Sequence, residues 1–436
     1  MKKRYTHVES IPFGGGSFER YVWDNGLRVL VHVDRAAPVV SYQSWFGVGS
    51  RHEKPGKTGL AHLFEHLMFN ETQNLKHGKF DRMMESRGAE TNAATWVDWT
   101  YYYENLPAKD VGVAIKLESE RMARLVLKEP QVASEKDVVA NERMLRVDDD
   151  VDGTVSELLY KTAFTTHGYS WPTIGWMSDI RGFTPEDCEA FYAAYYAPNN
   201  AVIVVAGDVR VASVLAKIDE AYGDMPSSVL PVEDVTPEPP QREARHIEIT
   251  RTTPAEKLAL AYKGPAFGDA DHVALTVLTE ILFGGRASRI HRKLITDLEL
   301  ATEVRGWVST FRFPGLFEMS ATARNGISAD RIAEELKKEL ARVKEELVTD
   351  REVARAVARL EVSSLQGMET PSGKAEQAGL YEIVLGDPAA SWKRLAAYRR
   401  VTPAEIRYVA RAYLRDETAT SVIVRVAPET TESAAE

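Results

Sequence analysis

The chain has 436 residues, more than one ordinary domain holds, of which 44% are hydrophobic and 27% charged. This is the make-up of a soluble globular protein with a core large enough to need no covalent staples. A net charge of −10 argues against a nucleic-acid partner, whose phosphates call for a basic surface, and favours neutral or basic peptides as ligands.

The single cysteine, Cys188, rules out an intrachain disulfide and reads as an ordinary packed residue. No apolar run approaches the roughly 20 residues a membrane span requires. The first sixteen residues carry two lysines but no apolar stretch of the kind a secretory leader has. The cytoplasm is the default compartment; a periplasmic chain whose leader had been removed would look the same.

In chain order, Phe13-Gly14-Gly15-Gly16-Ser17 lacks the Lys and following helix of a phosphate loop and reads as a flexible N-terminal segment. Residues 21–23 and 27–33 flank Asp24-Asn25-Gly26, a hairpin signal. Residues 58–70 read as a helix with Thr58 as its cap. The aromatic and Thr-rich residues 96–106 read as a strand. Residues 134–143 read as a helix, with Ser134 and Asp137 in the relation of a capping box. Asp148, Asp149, Asp150 and Asp152 lack the EF-hand pattern and read as a solvated acidic turn. Residues 226–241 contain five prolines and read as an extended linker. Residues 327–347 form a charged helix with interspersed signs, and the acidic residues 429–436 read as a frayed tail.

Two stretches echo each other. Phe183-Thr184-Pro185-Glu186 leads through Phe191-Tyr192-Ala193-Ala194-Tyr195-Tyr196 to an apolar strand at 201–206. Val401-Thr402-Pro403-Ala404 leads through Val409-Ala410-Arg411-Ala412-Tyr413-Leu414 to another at 421–426. In each copy Thr suits a helix cap and Pro the first helical position. The offset is half the chain, so the sequence predicts an internal duplication: α+β domains at 1–225 and 245–436, joined by a Pro-rich linker at 226–244.

The chemistry concentrates in His62-Leu63-Phe64-Glu65-His66. On a helix His62 and His66 share a face and can bind one ion, with Glu65 beside them where an activated water would sit. This reverses the commoner His-Glu-x-x-His order. Two satisfied histidines on a polar helix face would be the plain reading. It is weakened by Leu63, Phe64, Leu67, Met68 and Phe69, which mark a buried helix. Burying two imidazoles and a carboxylate is costly unless they are paired or metal-bound. Catalytic zinc takes three protein ligands and leaves a position open, so the third ligand should come from another element. Glu135 and Glu142 lie on one face of the next helix. His52, His77 and His167 are spare ligand types.

These features resemble the pitrilysin and insulysin family of inverted-motif zinc peptidases, in the short-chain branch that includes the mitochondrial processing peptidase β subunit and bacterial relatives. Asp24-Asn25-Gly26-Leu27, Gly47-Val48-Gly49-Ser50-Arg51, Thr91-Asn92-Ala93-Ala94-Thr95 with Asp98-Trp99-Thr100, and Gly284-Gly285-Arg286-Ala287-Ser288-Arg289 all match its stretches. His167-Gly168-Tyr169 matches with Gly168 and Ser170 as departures. The resemblance implies a fold of two homologous α+β domains of the LuxS/MPP-like type. It implies one Zn2+ on His62, His66 and Glu142, with Glu135 supporting the site rather than binding the ion. Residues 273–283, in the place of the zinc helix, contain no His, so the second domain should enclose substrate.

The reaction implied is hydrolysis of extended or unfolded peptides by a zinc metalloendopeptidase, with Glu65 as general base on a zinc-bound water. The substrate would add as a strand around Asn92, Ala93 and Thr95. The family's substrate-holding Arg and Tyr from the second domain have no clear counterpart near residues 311–317. The resemblance therefore implies a dimer, with a zinc-less homologue supplying that pair in one arrangement and a homodimer as the other. Two rival readings, an inert structural subunit and a metal scaffold without hydrolysis, both sit poorly with an intact set of His62, Glu65, His66 and Glu142.

Overall fold

The computed structural model describes Lys3–Pro428; the acidic tail at 429–436 lies outside the described residues. Seven strands form a first sheet: β1 (Tyr5–Phe13), β2 (Gly16–Trp23), β3 (Arg28–Val33), β4 (Val39–Phe46), β5 (Glu90–Thr95), β6 (Thr100–Pro107) and β7 (Ala201–Gly207). Their spatial order is β1-β2-β3-β7-β4-β6-β5. Five strands form a second: β8 (Arg245–Arg251), β9 (Lys257–Lys263), β10 (Ala301–Val308), β11 (Leu316–Ala323) and β12 (Thr420–Val426), in the order β10-β11-β9-β12-β8.

The helices of the N-terminal half are α1 (Leu60–Leu67), α2 (Lys79–Glu85), α3 (Val111–Arg124), α4 (Glu129–Arg143), α5 (Val151–Ala163), α6 (Met177–Gly182), α7 (Pro185–Tyr195) and α8 (Val211–Tyr222). Those of the C-terminal half are α9 (Ala270–Phe283), α10 (Arg289–His291), α11 (Ala329–Glu345), α12 (Asp350–Gly367), α13 (Pro371–Leu385), α14 (Ala390–Tyr398) and α15 (Pro403–Tyr413).

The duplication is visible in the topology. The order β3-β7-β4-β6-β5 recurs as β8-β12-β9-β11-β10. In each run the first pair is parallel, β3 with β7 and β8 with β12, and the other pairs are antiparallel. β7 is apolar and buried along its whole length, as a strand covered on both faces must be. The repeated helices start alike. Thr184 caps α7 and Thr402 caps α15, each in a capping box with the third helical residue, Asp187 or Glu405, and each followed by Pro.

The compact units cut across the boundaries expected at 225 and 245. One unit comprises the stretch up to Arg143, His167–Pro237 and Val362–Leu395; the other comprises Met144–Thr166, Glu238–Glu361 and the stretch from Ala396 onward. The equivalent helices α5 and α13 have changed places. α13 lies on β4 and β7, and α5 on β9 and β12. The cause is burial. α13 is inward over Ala375, Ala378, Tyr381, Ile383 and Val384, and α5 over Val155, Leu159 and Ala163, apolar area that stabilises by about 25 cal/mol per Å² removed from water.

Several local expectations are corrected. Residues 13–17 form the turn of the β1–β2 hairpin, with Phe13 paired to Gly16, not a flexible lead-in. The strand expected over 96–106 begins at Thr100, because Trp96 to Trp99 turn the chain, with the Trp96 amide donating to the Trp99 carbonyl at 2.8 Å. α4 begins at Glu129, so Ser134 lies inside the helix rather than at its cap. α9 begins at Ala270 and so includes His272. Cys188 is buried in α7.

Candidate metal centre

α1 is short, and three buried contacts fix it. Its capping residue is Gly59, at φ 95°, a left-handed conformation that glycine adopts without strain. A Cβ there would lie 2.5 Å from the Ile174 carbonyl oxygen, and one on Gly175 would lie 2.3 Å from that of Thr58. The two glycines let the strands of chain touch at the entrance to the helix. The orphan amides of the first turn are met by Glu53, whose carboxylate accepts from Gly59 N and Ala61 N, both at 2.7 Å. Thr58, expected as the cap, instead donates its hydroxyl to Asp179 at 2.7 Å. Burial pushes the Glu53 carboxyl well above its usual range, against the pull of the two amides. From below, the Tyr102 hydroxyl donates to the Phe64 carbonyl at 3.1 Å and pairs with the Tyr196 hydroxyl at 3.0 Å.

α4 packs against α1 and carries the acids. Glu142 Oε2 lies 3.6 Å from His62 Nε2 and 3.3 Å from His66 Nε2. The two rings are 5.0 Å apart at 61°. One ligand atom from each of His62, His66 and Glu142 lies within 4.8 Å of the others, and all three residues are half-buried. Arg143, next to Glu142, donates to the Gly175 carbonyl at 2.7 Å, tying the end of α4 to the chain that meets the start of α1. Glu135, two turns earlier, accepts from Asn70 at 3.1 Å and has its Oε2 3.8 Å from His66 Nδ1.

Two imidazoles and a carboxylate meeting at one point suit a divalent cation of the zinc type. Glu65 stands beside them. Burial raises its carboxyl above the usual range, Thr95 and His66 favour its ionised form, and Glu142 opposes it. Burial works against charge on His66, yet Glu142, Glu65 and Glu135 outweigh it and raise the imidazole. The surplus of negative charge is what a bound cation would balance.

β5 is an edge strand. Asn92 is exposed, Ala93 half-buried and Thr95 buried. Spare histidines stay outside the cluster: the His52 ring accepts from Gly49 N at 3.0 Å, His77 pairs with Asn70 at 3.2 Å, and the His167 ring accepts from Tyr169 N at 3.2 Å. The matched stretches around Arg51, Asp98 and Tyr169 converge on a buried ion pair, Arg51 with Asp98, into which the Tyr169 hydroxyl donates at 3.0 Å. Sequence reading assigned no role to Glu53, Tyr102 or Arg143. Tyr102 and Arg143 act on α1 or its neighbours across 38 and 32 residues, and Glu53 acts across a loop of six to eight residues that carries no capping pattern.

Twin domains of mixed strands and helices, with a metal-capable triad and an adjacent acid in the first, define a class of metal-dependent hydrolase scaffold. The chain belongs to the insulinase family, peptidase family M16: residues 28–175 match that family's model, and residues 182–360 match the one described as the peptidase M16 inactive domain. It is 30% identical to the zinc protease PqqE of Helicobacter pylori, over 92% of this chain and 91% of that protein. It is 25% identical to a probable mitochondrial-processing peptidase subunit beta of Arabidopsis thaliana, over 90% of this chain and 75% of that protein. The crystal structure of a protease from Helicobacter pylori superposes with a TM-score of 0.90 at 28% identity, covering 94% of this chain and 99% of that one.

Proposed function

We propose that this peptidase is a zinc metalloendopeptidase acting on extended or unfolded peptides. The observation that supports this most is the approach of His62, His66 and Glu142 to within 4.8 Å, with Glu65 on the same short helix. Zinc is the ion, held by those three residues, with Glu135 steadying His66. The chemistry that zinc supplies when bound is Lewis acidity toward a water and the scissile carbonyl. Glu65 takes the proton of the attacking water and passes it to the leaving nitrogen, and burial, which raises its carboxyl above the usual range, favours its holding that proton between the two steps.

The peptide adds as a strand to the free edge of β5, along Asn92, Ala93 and Thr95, where backbone pairing selects extended chains and reads few side chains. The working unit is a dimer, with a zinc-less homologue or with a second copy. The duplicated segments correspond to 1–225 and 245–436, joined at 226–244.

The test is zinc content by elemental analysis alongside cleavage of a quenched peptide library, first by the purified chain and then with candidate partner chains. Zinc near one equivalent and chelator-sensitive cleavage are expected. A zinc-loaded chain that cuts nothing, alone or with partners, would refute the peptidase reading. Efficient turnover by a monomer would refute the dimer.

A further inference from the structure

On the face of the first sheet opposite α1, a cavity of about 440 Å³ opens between β4, β5, β6 and the start of α13. Its walls follow from strand register. Glu90 lies opposite Asn105, Asn92 opposite Tyr103 and Ala94 opposite Tyr101, and directly paired residues share a face. Tyr101 and Tyr103 stack with ring centres 5.8 Å apart, and Trp45 stacks on Tyr101 at 4.1 Å. Glu90 and Glu376 also line the cavity.

Among the described residues that line it, none is Lys, Arg or His. Asn105 donates to Glu90 at 3.2 Å, which leaves its Oδ1 buried with no hydrogen-bond partner. The start of α13 adds little donor capacity: Pro371 has no N–H, Gly373 N donates to the Thr370 hydroxyl, and Lys374 N donates to the Thr370 carbonyl. Burial, then the negative field of Glu376, pushes the Tyr101 hydroxyl up, and burial and Glu90 do the same to Tyr103. The cavity thus combines aromatic faces, two carboxylates and an unmet acceptor, a chemistry that complements a planar or alkyl organic cation.

We propose that this cavity binds the guanidinium of an arginine side chain on the peptide substrate. This rests on strand addition at β5, as proposed above. Ala93 and Thr95 share the α1 side of the sheet, whereas Glu90, Asn92 and Ala94 share the cavity side. A peptide paired to β5 would therefore present side chains alternately to the metal face and to the cavity. Glu90 is five residues from Thr95, about 16 Å along a strand. The arginine sits roughly five residues from the scissile bond.

Two measurements on the full chain test this. Calorimetric titration with agmatine should show saturable binding, weakened at least about tenfold by Glu90→Gln combined with Glu376→Gln and also weakened by Tyr103→Leu. Two quenched peptides, identical except for arginine or citrulline at that position, should differ in KM by about tenfold, and the double substitution should bring the ratio close to one. Agmatine binding with equal KM values would assign the cavity to a free small cation and overturn the peptide assignment. Equal KM values without agmatine binding would overturn the site altogether. If no peptide is cut, the peptidase reading fails, and the agmatine titration still decides whether the cavity takes a cation.

Discussion

The two sheets share one five-strand topology, and the helix after the strand next to the parallel pair is filled differently in each. In the first unit this is α1, eight residues long, with two imidazoles and an acid on a helix whose other side is buried. In the second it is α9, fourteen residues long and inward along Leu275, Val277, Leu278, Ile281 and Leu282. Its one histidine, His272, is buried and pairs with the Ser309 carbonyl at 3.1 Å. One scaffold has been filled twice, once with a metal-capable triad and once with apolar packing, so the difference lies in the surface of one helix rather than in the fold.

The largest effect that would break this contrast is loss of the ion. His62→Ala should release most bound zinc, since two remaining ligands rarely hold it tightly; full occupancy by elemental analysis would refute the ligand set. Glu65→Gln should keep the zinc and lower kcat at least about 100-fold, because the amide has nearly the same shape but cannot accept the proton. Turnover within about tenfold of the parent would mean another group is the base. Glu135→Gln should be intermediate, changing zinc affinity or activity about 10- to 100-fold; loss as complete as in Glu142→Gln would make Glu135 a ligand.

The smallest effect sharpens the other side of the comparison. In the second unit burial lowers the Lys263 amine to about 7, with the ammonium over the Phe164 ring, Glu238 drawing its pKa up and Arg245 pushing it down. A base with a depressed native pKa binds fewer protons folded than unfolded between about 7 and its ordinary value of 10.5. Stability therefore rises with pH across that window and is flat below it. Lys263→Met should stabilise the chain by about 1 kcal/mol or more at pH 7, the gain shrinking toward pH 10. Denaturant unfolding at the two pH values checks it, and a gain independent of pH would show that the amine is not the cause.

What the sequence disclosed was local or repeated. His62, Glu65 and His66 lie on one helical face, and Thr184 with Pro185 and Thr402 with Pro403 announced the twin helices. Glu142 was reached through family resemblance, because nothing in its own helix distinguishes it from a surface acid. The exchange of α5 and α13 was hidden, since amphipathic helices record that they pack but not against which sheet. The Tyr102 hydroxyl under Phe64 is hidden for the same reason, since its partner lies 38 residues away, whereas the Glu53 clamp is local, six and eight residues from its amides, but lies outside the usual capping positions.

That exchange has a consequence for how the protein is made. The unit with the metal-capable triad includes Val362–Leu395, so a ribosome that has finished the Pro-rich linker has not yet made the helix that covers β4 and β7. Domains usually fold in order of emergence, but this one must wait for most of the chain. A nascent fragment ending at the linker would carry the metal-capable triad of His62, His66 and Glu142, with Glu65, on an unfinished sheet. Completion of the fold, and with it any ability to cut a neighbouring chain, is thereby postponed until Val362–Leu395 has been made.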